Sequence, residues 1–121
     1  MKQLMLVFIG GGTGSVARYL ISKYLNNEAN VIPYGTFVVN ILGSFLIGII
    51  LGLALKNNVL SQNTVLILAT GFCGGFTTFS TFAYENHMFL RGGDYLSFFL
   101  YTSSSFIIGF LLVFLGMWIV K

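Results

Sequence analysis

Charge is scarce in this chain. Only 7% of its 121 residues are Asp, Glu, Lys or Arg, and just three of these are acidic: Glu28, Glu85 and Asp94. So low a charged fraction lies outside the range of a soluble domain. The six basic residues are too few and too scattered to form a nucleic-acid patch. A single cysteine, Cys73, excludes a disulfide framework or a cysteine metal cluster and reads as a small buried helix residue. The one histidine, His87, has no metal-ligating company. With no Ser/His/Asp set, no carboxylate pair and no His/Cys cluster, enzymatic activity is not expected.

Apolar residues make up 56% of the sequence. A membrane span needs roughly 20 mainly apolar residues, and four such stretches lie at about 4–25, 33–55, 63–90 and 96–120. The expected fold is a single all-α membrane domain of four transmembrane helices over residues 1–121. A signal peptide is the competing reading of the first stretch, with Ser15-Val16-Ala17 as cleavage site. Arg18 follows at once and the apolar run resumes at Tyr19-Leu20-Ile21, which favours a span. Four spans place Lys2, Lys56 and Lys121 on one side of the membrane. Lys23 and Arg91 lie on the other, with Arg18 just inside the first span. Orientation follows Lys/Arg asymmetry, and here almost none exists. Insertion in both orientations is expected.

Polar residues recur at helical spacing. The first span contains Gly10-Gly11-Gly12-Thr13-Gly14-Ser15. No Lys follows as in a phosphate-binding loop, and Ser15 stands where a dinucleotide fingerprint has its third Gly. Gly10 and Gly14, four apart, suit close helix packing in lipid. Arg18 either snorkels to the interface or attracts anions at a vestibule. The second span starts at Pro33, a favourable helix opening. It sets Thr36, Asn40, Ser44, Gly48 and Gly52 on one face, four residues apart. Asn40 either bonds a neighbouring helix or lines a polar path. In the fourth span Ser97, Tyr101, Ser105 and Gly109 repeat the spacing, and Trp118 with Lys121 marks an interfacial end.

The third span is the anomaly. Gly71-Phe72-Cys73-Gly74-Gly75-Phe76-Thr77-Thr78-Phe79-Ser80-Thr81-Phe82 puts glycines and hydroxyls about where a membrane helix should be most apolar. Irregular backbone at that depth survives only beside protein or water, and a helix broken at mid-membrane is a usual way to build an ion site. Phe76, Phe79 and Phe82 follow at intervals of three, a pattern that also suits lipid or core. Glu85 is the only carboxylate within a span.

Amide N–H, hydroxyl O–H and aromatic ring edges all present partial positive charge. Two such stripes suit a small, strongly hydrogen-bond-accepting anion, whereas a cation path would carry carboxylate rings. Carbonyls freed at the break could hold a monovalent cation shared by two antiparallel copies. The chain is too short to enclose a pore comfortably alone, so a dimer is expected. A proton-coupled antiporter of the small multidrug type is a rival, but it would need a carboxylate in the first span, which has none. A non-transporting assembly subunit is the third reading.

Residues 10–19 (Gly-Gly-Gly-Thr-Gly-Ser-Val-Ala-Arg-Tyr), Pro33-Tyr34-Gly35-Thr36 through Asn40 with Gly43-Ser44-Phe45, and the segment 71–82 resemble the Fluc (CrcB) fluoride channels. The resemblance covers essentially the whole chain, and the 71–82 segment is its most specific part. It implies an antiparallel dual-topology homodimer in the bacterial plasma (inner) membrane, with two fluoride pores and a central structural sodium ion. By position, Gly74 and Thr77 resemble backbone-carbonyl ligands of that sodium. Phe79 and Phe82 resemble the family's pore-lining pair, with Asn40 the polar residue beside it. Thr36, Tyr101 and Ser105 resemble further pore-facing positions, Arg18 the vestibule arginine, and Glu85 an acidic position whose part in conduction is undefined. Gly109 stands where some relatives have a hydroxyl.

Overall fold

The computed structural model describes residues 1–56 and 59–121; Asn57 and Asn58, within the loop expected over 56–62, lie outside them. Among the described residues every regular element is helical. Four helical stretches are long and apolar enough to cross a membrane: Lys2–Leu25, Tyr34–Leu55, Gln62–Arg91 and Tyr95–Ile119. The first holds α1 (Lys2–Leu25) and the second α2 (Tyr34–Ala54). The third is composite: α3 (Gln62–Val65), a π-helical segment (Leu66–Cys73), α4 (Gly74–Phe76) and α5 (Ser80–Arg91). The fourth is α6 (Tyr95–Ile119).

Local chemistry explains the helix starts. Ser61 caps α3 by accepting from the Thr64 N–H at 3.1 Å, and Asp94 caps α6 by accepting from the Ser97 N–H at 3.1 Å. Ser and Asp at this position satisfy otherwise orphaned first-turn donors. The carboxyl of Asp94 is held below its usual range by those bonds to Ser97. Between α5 and α6 the chain turns through Gly93 at φ 76°, a conformation glycine adopts without a Cβ penalty. Pro33 precedes α2 and brings no side-chain cap of its own.

Two helix pairs organise the core: α1 lies along the π-helical segment and α4, and α2 lies along α6. Glycine makes both approaches possible. A Cβ on Gly10 would fall on the Ile67 carbonyl, and one on Gly14 on the Phe72 carbonyl. In the second pair Gly48 faces the Val113 backbone and Gly116 the Phe45 and Ile49 backbone. The lower half of the α2 stripe is therefore a packing seam. This is how helices associate in lipid, where apolar burial supplies little drive. Gly14→Ala is expected to destabilise the fold by about 1–3 kcal/mol through overpacking. Gly12→Ala, with nothing within 4 Å of its Cβ position, should leave melting unchanged or slightly raised in the same detergent.

Candidate functional site

The helix of the third span stops at Phe76. Thr77 is extended (φ −90°, ψ 159°), and helical structure resumes at Ser80. A gap of this kind strands backbone donors and acceptors, and the sequence supplies a partner from another helix. Asn40 on α2 donates from Nδ2 to the Thr78 carbonyl at 3.0 Å and accepts the Thr78 N–H on Oδ1 at 2.8 Å. One amide side chain thus stands in for a missing strand neighbour. Its alignment is fixed, since the reverse orientation would set two donors and two acceptors face to face.

That substitution has a consequence one turn earlier. In an unbroken α-helix the Thr78 N–H would serve the Gly74 carbonyl. Given to Asn40, it leaves that carbonyl without its helical donor. Gly74 is exposed, and the extended Thr77 turns its own carbonyl out of the helical ladder. The Thr77 hydroxyl is engaged by the helical turn that precedes it, donating to the Cys73 carbonyl at 2.9 Å.

A cavity of about 360 Å³ opens beside the gap. Its lining brings together Asn40, Gly74, Thr77, Phe79, Phe82 and Ser105, six of the residues singled out in the sequence. Ser44 and Gly109 also line it. The Phe82 ring is nearly buried (7%) while Phe79 is 72% exposed, with ring centres 6.0 Å apart. Phe106 meets Phe82 edge-on at 5.9 Å. The Ser105 hydroxyl is buried and has no hydrogen-bond partner among the described residues. Such an orphan is costly unless something enters to use it.

Thr36, Glu85 and Tyr101 form a second cluster. The carboxylate of Glu85, half-buried on α5, accepts the Thr36 hydroxyl on Oε2 at 2.7 Å and the Tyr101 hydroxyl on Oε1 at 2.7 Å. Thr36 and Tyr101 are each only 1% exposed. The Tyr101 ring lies 5.0 Å from that of Phe82, which joins this cluster to the cavity. Arg18 stands apart from both. It is half-buried, and its Nε donates to the Gly75 carbonyl at 3.0 Å, with Ser15 Oγ at 3.5 Å from the same oxygen. The guanidinium therefore ties α1 to α4 through that nitrogen.

Three polar residues of this region carried no sequence signal. Asn26, in the loop after α1, accepts the N–H groups of Gly35 and Thr36 on Oδ1 at 2.7 and 3.3 Å. Its Nδ2 donates to Thr36 Oγ1 at 3.2 Å. Buried Asn86 donates to the Phe82 carbonyl at 3.0 Å and accepts the Thr102 hydroxyl at 2.9 Å. Only the Pro33 helix start, which lacks a side-chain cap of its own, hints at a remote partner such as Asn26. Asn86 and Thr102 sit within helices, but outside the four-residue stripes.

The chain matches the family model described as CrcB-like protein, Camphor Resistance (CrcB), over residues 5–117. It is similar to a protein of Gloeothece citriformis named fluoride-specific ion channel FluC, 51% identical over 122 residues, covering 100% of this chain and 98% of that one. A protein of the same name from Phocaeicola vulgatus is 50% identical over 120 residues, with 98% of each chain covered. Another, from Pyrococcus furiosus, is 45% identical over 116 residues, covering 96% of this chain and 94% of that one. A match along nearly the whole length, joined to four helices long and apolar enough to span a membrane, identifies this chain as a multi-pass membrane protein of the CrcB family.

Proposed function

We propose that this chain is a passive, fluoride-selective channel, rather than an enzyme, which lets fluoride leave the cell across a bacterial inner membrane. The observation that carries the reading is the cavity itself. Its polar lining residues are uncharged, and it holds a buried Ser105 hydroxyl with no partner among the described residues. Fluoride accepts hydrogen bonds strongly and loses its hydration at great cost, so a dry path must replace water with donors. Asn40 has a second Nδ2 proton beyond the one given to Thr78, Ser105 contributes a hydroxyl with no partner among the described residues, and Phe79 and Phe82 offer ring edges, while the Ser44 hydroxyl donates to the Asn40 carbonyl at 2.7 Å. Thr36 and Tyr101, converging on Glu85, mark the onward direction. Glu85 accepts from two hydroxyls that could turn to a passing anion. Arg18, fixed through Nε, would raise the anion concentration at a vestibule. The names of the relatives support the choice of fluoride.

The working unit in this reading is an antiparallel dual-topology homodimer embedded in the lipid bilayer, with the third span broken at mid-membrane. The exposed Phe79 and Gly74 beside the gap ask for cover, and the balanced basic residues permit either orientation. A structural sodium ion fits between two such gaps. The Gly74 carbonyl has lost its helical donor and the Thr77 carbonyl leaves the ladder. Hard carbonyl oxygens are the ligand type for a small hard cation. Among the described residues no three His, Cys, Asp or Glu side chains gather that could compete for it. Thr77→Ala should slow efflux by no more than a few-fold, since its hydroxyl serves Cys73. A Thr77→Ala channel that has lost its central cation density would give the hydroxyl a ligand role instead.

Purified protein reconstituted into fluoride-loaded liposomes provides the test, with release followed by a fluoride electrode. Release well above that from empty vesicles is expected. Release no faster than from empty vesicles would reject the reading.

A further inference from the structure

We propose that Asn26 is a positioning residue for the anion path, setting which way the Thr36 hydroxyl points its single proton; this rests on the fluoride reading above. The chemistry leaves one solution. Oδ1 of Asn26 faces two backbone N–H groups, those of Gly35 and Thr36, so that atom must be the acceptor and its neighbour the amide nitrogen. Nδ2 then donates to Thr36 Oγ1 at 3.2 Å. A hydroxyl has one proton and two lone pairs. With a donor already pointing at its oxygen, Thr36 sends its proton away from Asn26, to Glu85 Oε2 at 2.7 Å.

Asn26 therefore does two jobs. It caps α2, whose preceding Pro33 supplies no side-chain cap, and it polarises a relay from Asn26 through Thr36 to Glu85. The Tyr101 hydroxyl closes the relay on the other carboxylate oxygen at 2.7 Å. Thr36 is nearly fully buried, so its hydroxyl has few alternatives to these two partners. Chains of hydrogen bonds in a poorly solvated interior strengthen one another. A reversal at Thr36 would leave Glu85 with one donor fewer and would turn the Thr36 oxygen, rather than its proton, toward the path.

Asn26→Asp separates the two jobs. It keeps a carboxylate oxygen for the Gly35 and Thr36 N–H groups, where a helix N-terminus welcomes negative charge, but it replaces the donor with an acceptor that draws the Thr36 proton from Glu85. In the liposome assay Asn26→Asp should slow fluoride efflux by about tenfold or more, the scale of a lost bond to a charged group. Its melting temperature should be no lower than that of the unmodified protein. Asn26→Ala should lose both rate and stability. In a Thr36→Val background Asn26→Asp should cause no further slowing. Unmodified rates for Asn26→Asp, or equal slowing with and without the Thr36 hydroxyl, would overturn the proposal. Infrared difference spectra against Glu85→Gln partners give a reading that does not need flux. The Glu85 carboxylate stretch should shift in Asn26→Asp, and an unmoved band would also overturn it. Vesicles of the unmodified protein that release no fluoride would reject the channel reading instead, while the infrared result would still decide the role of Asn26.

Discussion

Phe82→Ile is expected to slow fluoride efflux by a few-fold to about tenfold while leaving the proposed dimer intact. The Phe82 ring packs against Tyr101 at 5.0 Å and Phe106 at 5.9 Å, and it borders the cavity beside Asn40. Ile keeps an apolar side chain at this position but has no quadrupole, so it presents no positively polarised edge to an anion. If an anion at the ring edge gains as much as an aromatic pair, about 0.5–1.5 kcal/mol, the loss approaches the roughly 1.4 kcal/mol that is tenfold in rate. Gel filtration or cross-linking separates this outcome from collapse. Phe89→Ile, whose ring meets Tyr101 edge-on at 6.0 Å but is not part of the cavity lining, serves as the packing control: if it slowed efflux as much, the effect would belong to packing. Unchanged rates in Phe82→Ile would remove the ring from the path.

Asn40→Ala should be the more damaging substitution, because it breaks both structure and path. It leaves the Thr78 N–H and carbonyl without the partners they have at 2.8 and 3.0 Å. Each buried unpaired group costs about 1–3 kcal/mol, and more in hydrocarbon. Efflux is expected to become indistinguishable from that of empty vesicles, with a melting temperature lower by several degrees. Asn40→Asp distinguishes the amide's two ends. It retains an acceptor for the Thr78 N–H but sets a carboxylate oxygen against the Thr78 carbonyl and a negative charge in an anion path, so flux should fail even where folding survives. Wild-type efflux in Asn40→Ala would show that water can replace the amide at Thr78, and that neither the gap nor the path depends on it.

What could be read from the sequence was periodic. Asn40 and Ser44 on α2, and Tyr101 and Ser105 on α6, are four apart on uninterrupted α-helices, so their shared faces follow from spacing alone. Spacing does not say what a face meets. Gly48 continues the Asn40 stripe, yet it packs against the Val113 backbone, and only the three-dimensional pairing of α2 with α6 makes that visible. The π-helical segment Leu66–Cys73 also escaped, because its wider turn changes the register on which such stripes are counted. The non-helical residues 77–79 fall within the Gly- and Thr-rich segment, but their partner is an amide 38 residues earlier in the chain. Glu85 stood out as a lone carboxylate without a derivable role. Its two hydroxyl partners sit on other helices, 49 and 16 residues away. Asn26 is the extreme case: a loop residue, off every helical phase, whose three bonds are defined only once the chain has turned back at Pro33.

Arg18 shows how local reasoning underdetermines a long side chain. Near a span end, a guanidinium can reach water or turn inward at similar cost. Here the carbonyl of Gly75 decides. Glycine at 75 lets α1 come close enough that a Cβ there would fall on the Gly11 carbonyl, which places the Gly75 oxygen within reach of Nε at 3.0 Å.

Selectivity is best judged from the reversal potential of reconstituted protein in a planar bilayer, with fluoride on one side and an equal concentration of chloride on the other under a common cation. A lining of uncharged donors suited to a small anion predicts a reversal potential set by the fluoride gradient, unchanged when the chloride concentration is varied. A potential that follows chloride or the cation, or a membrane with no current above background, would show that the Asn40 and Phe82 cavity is not a fluoride path.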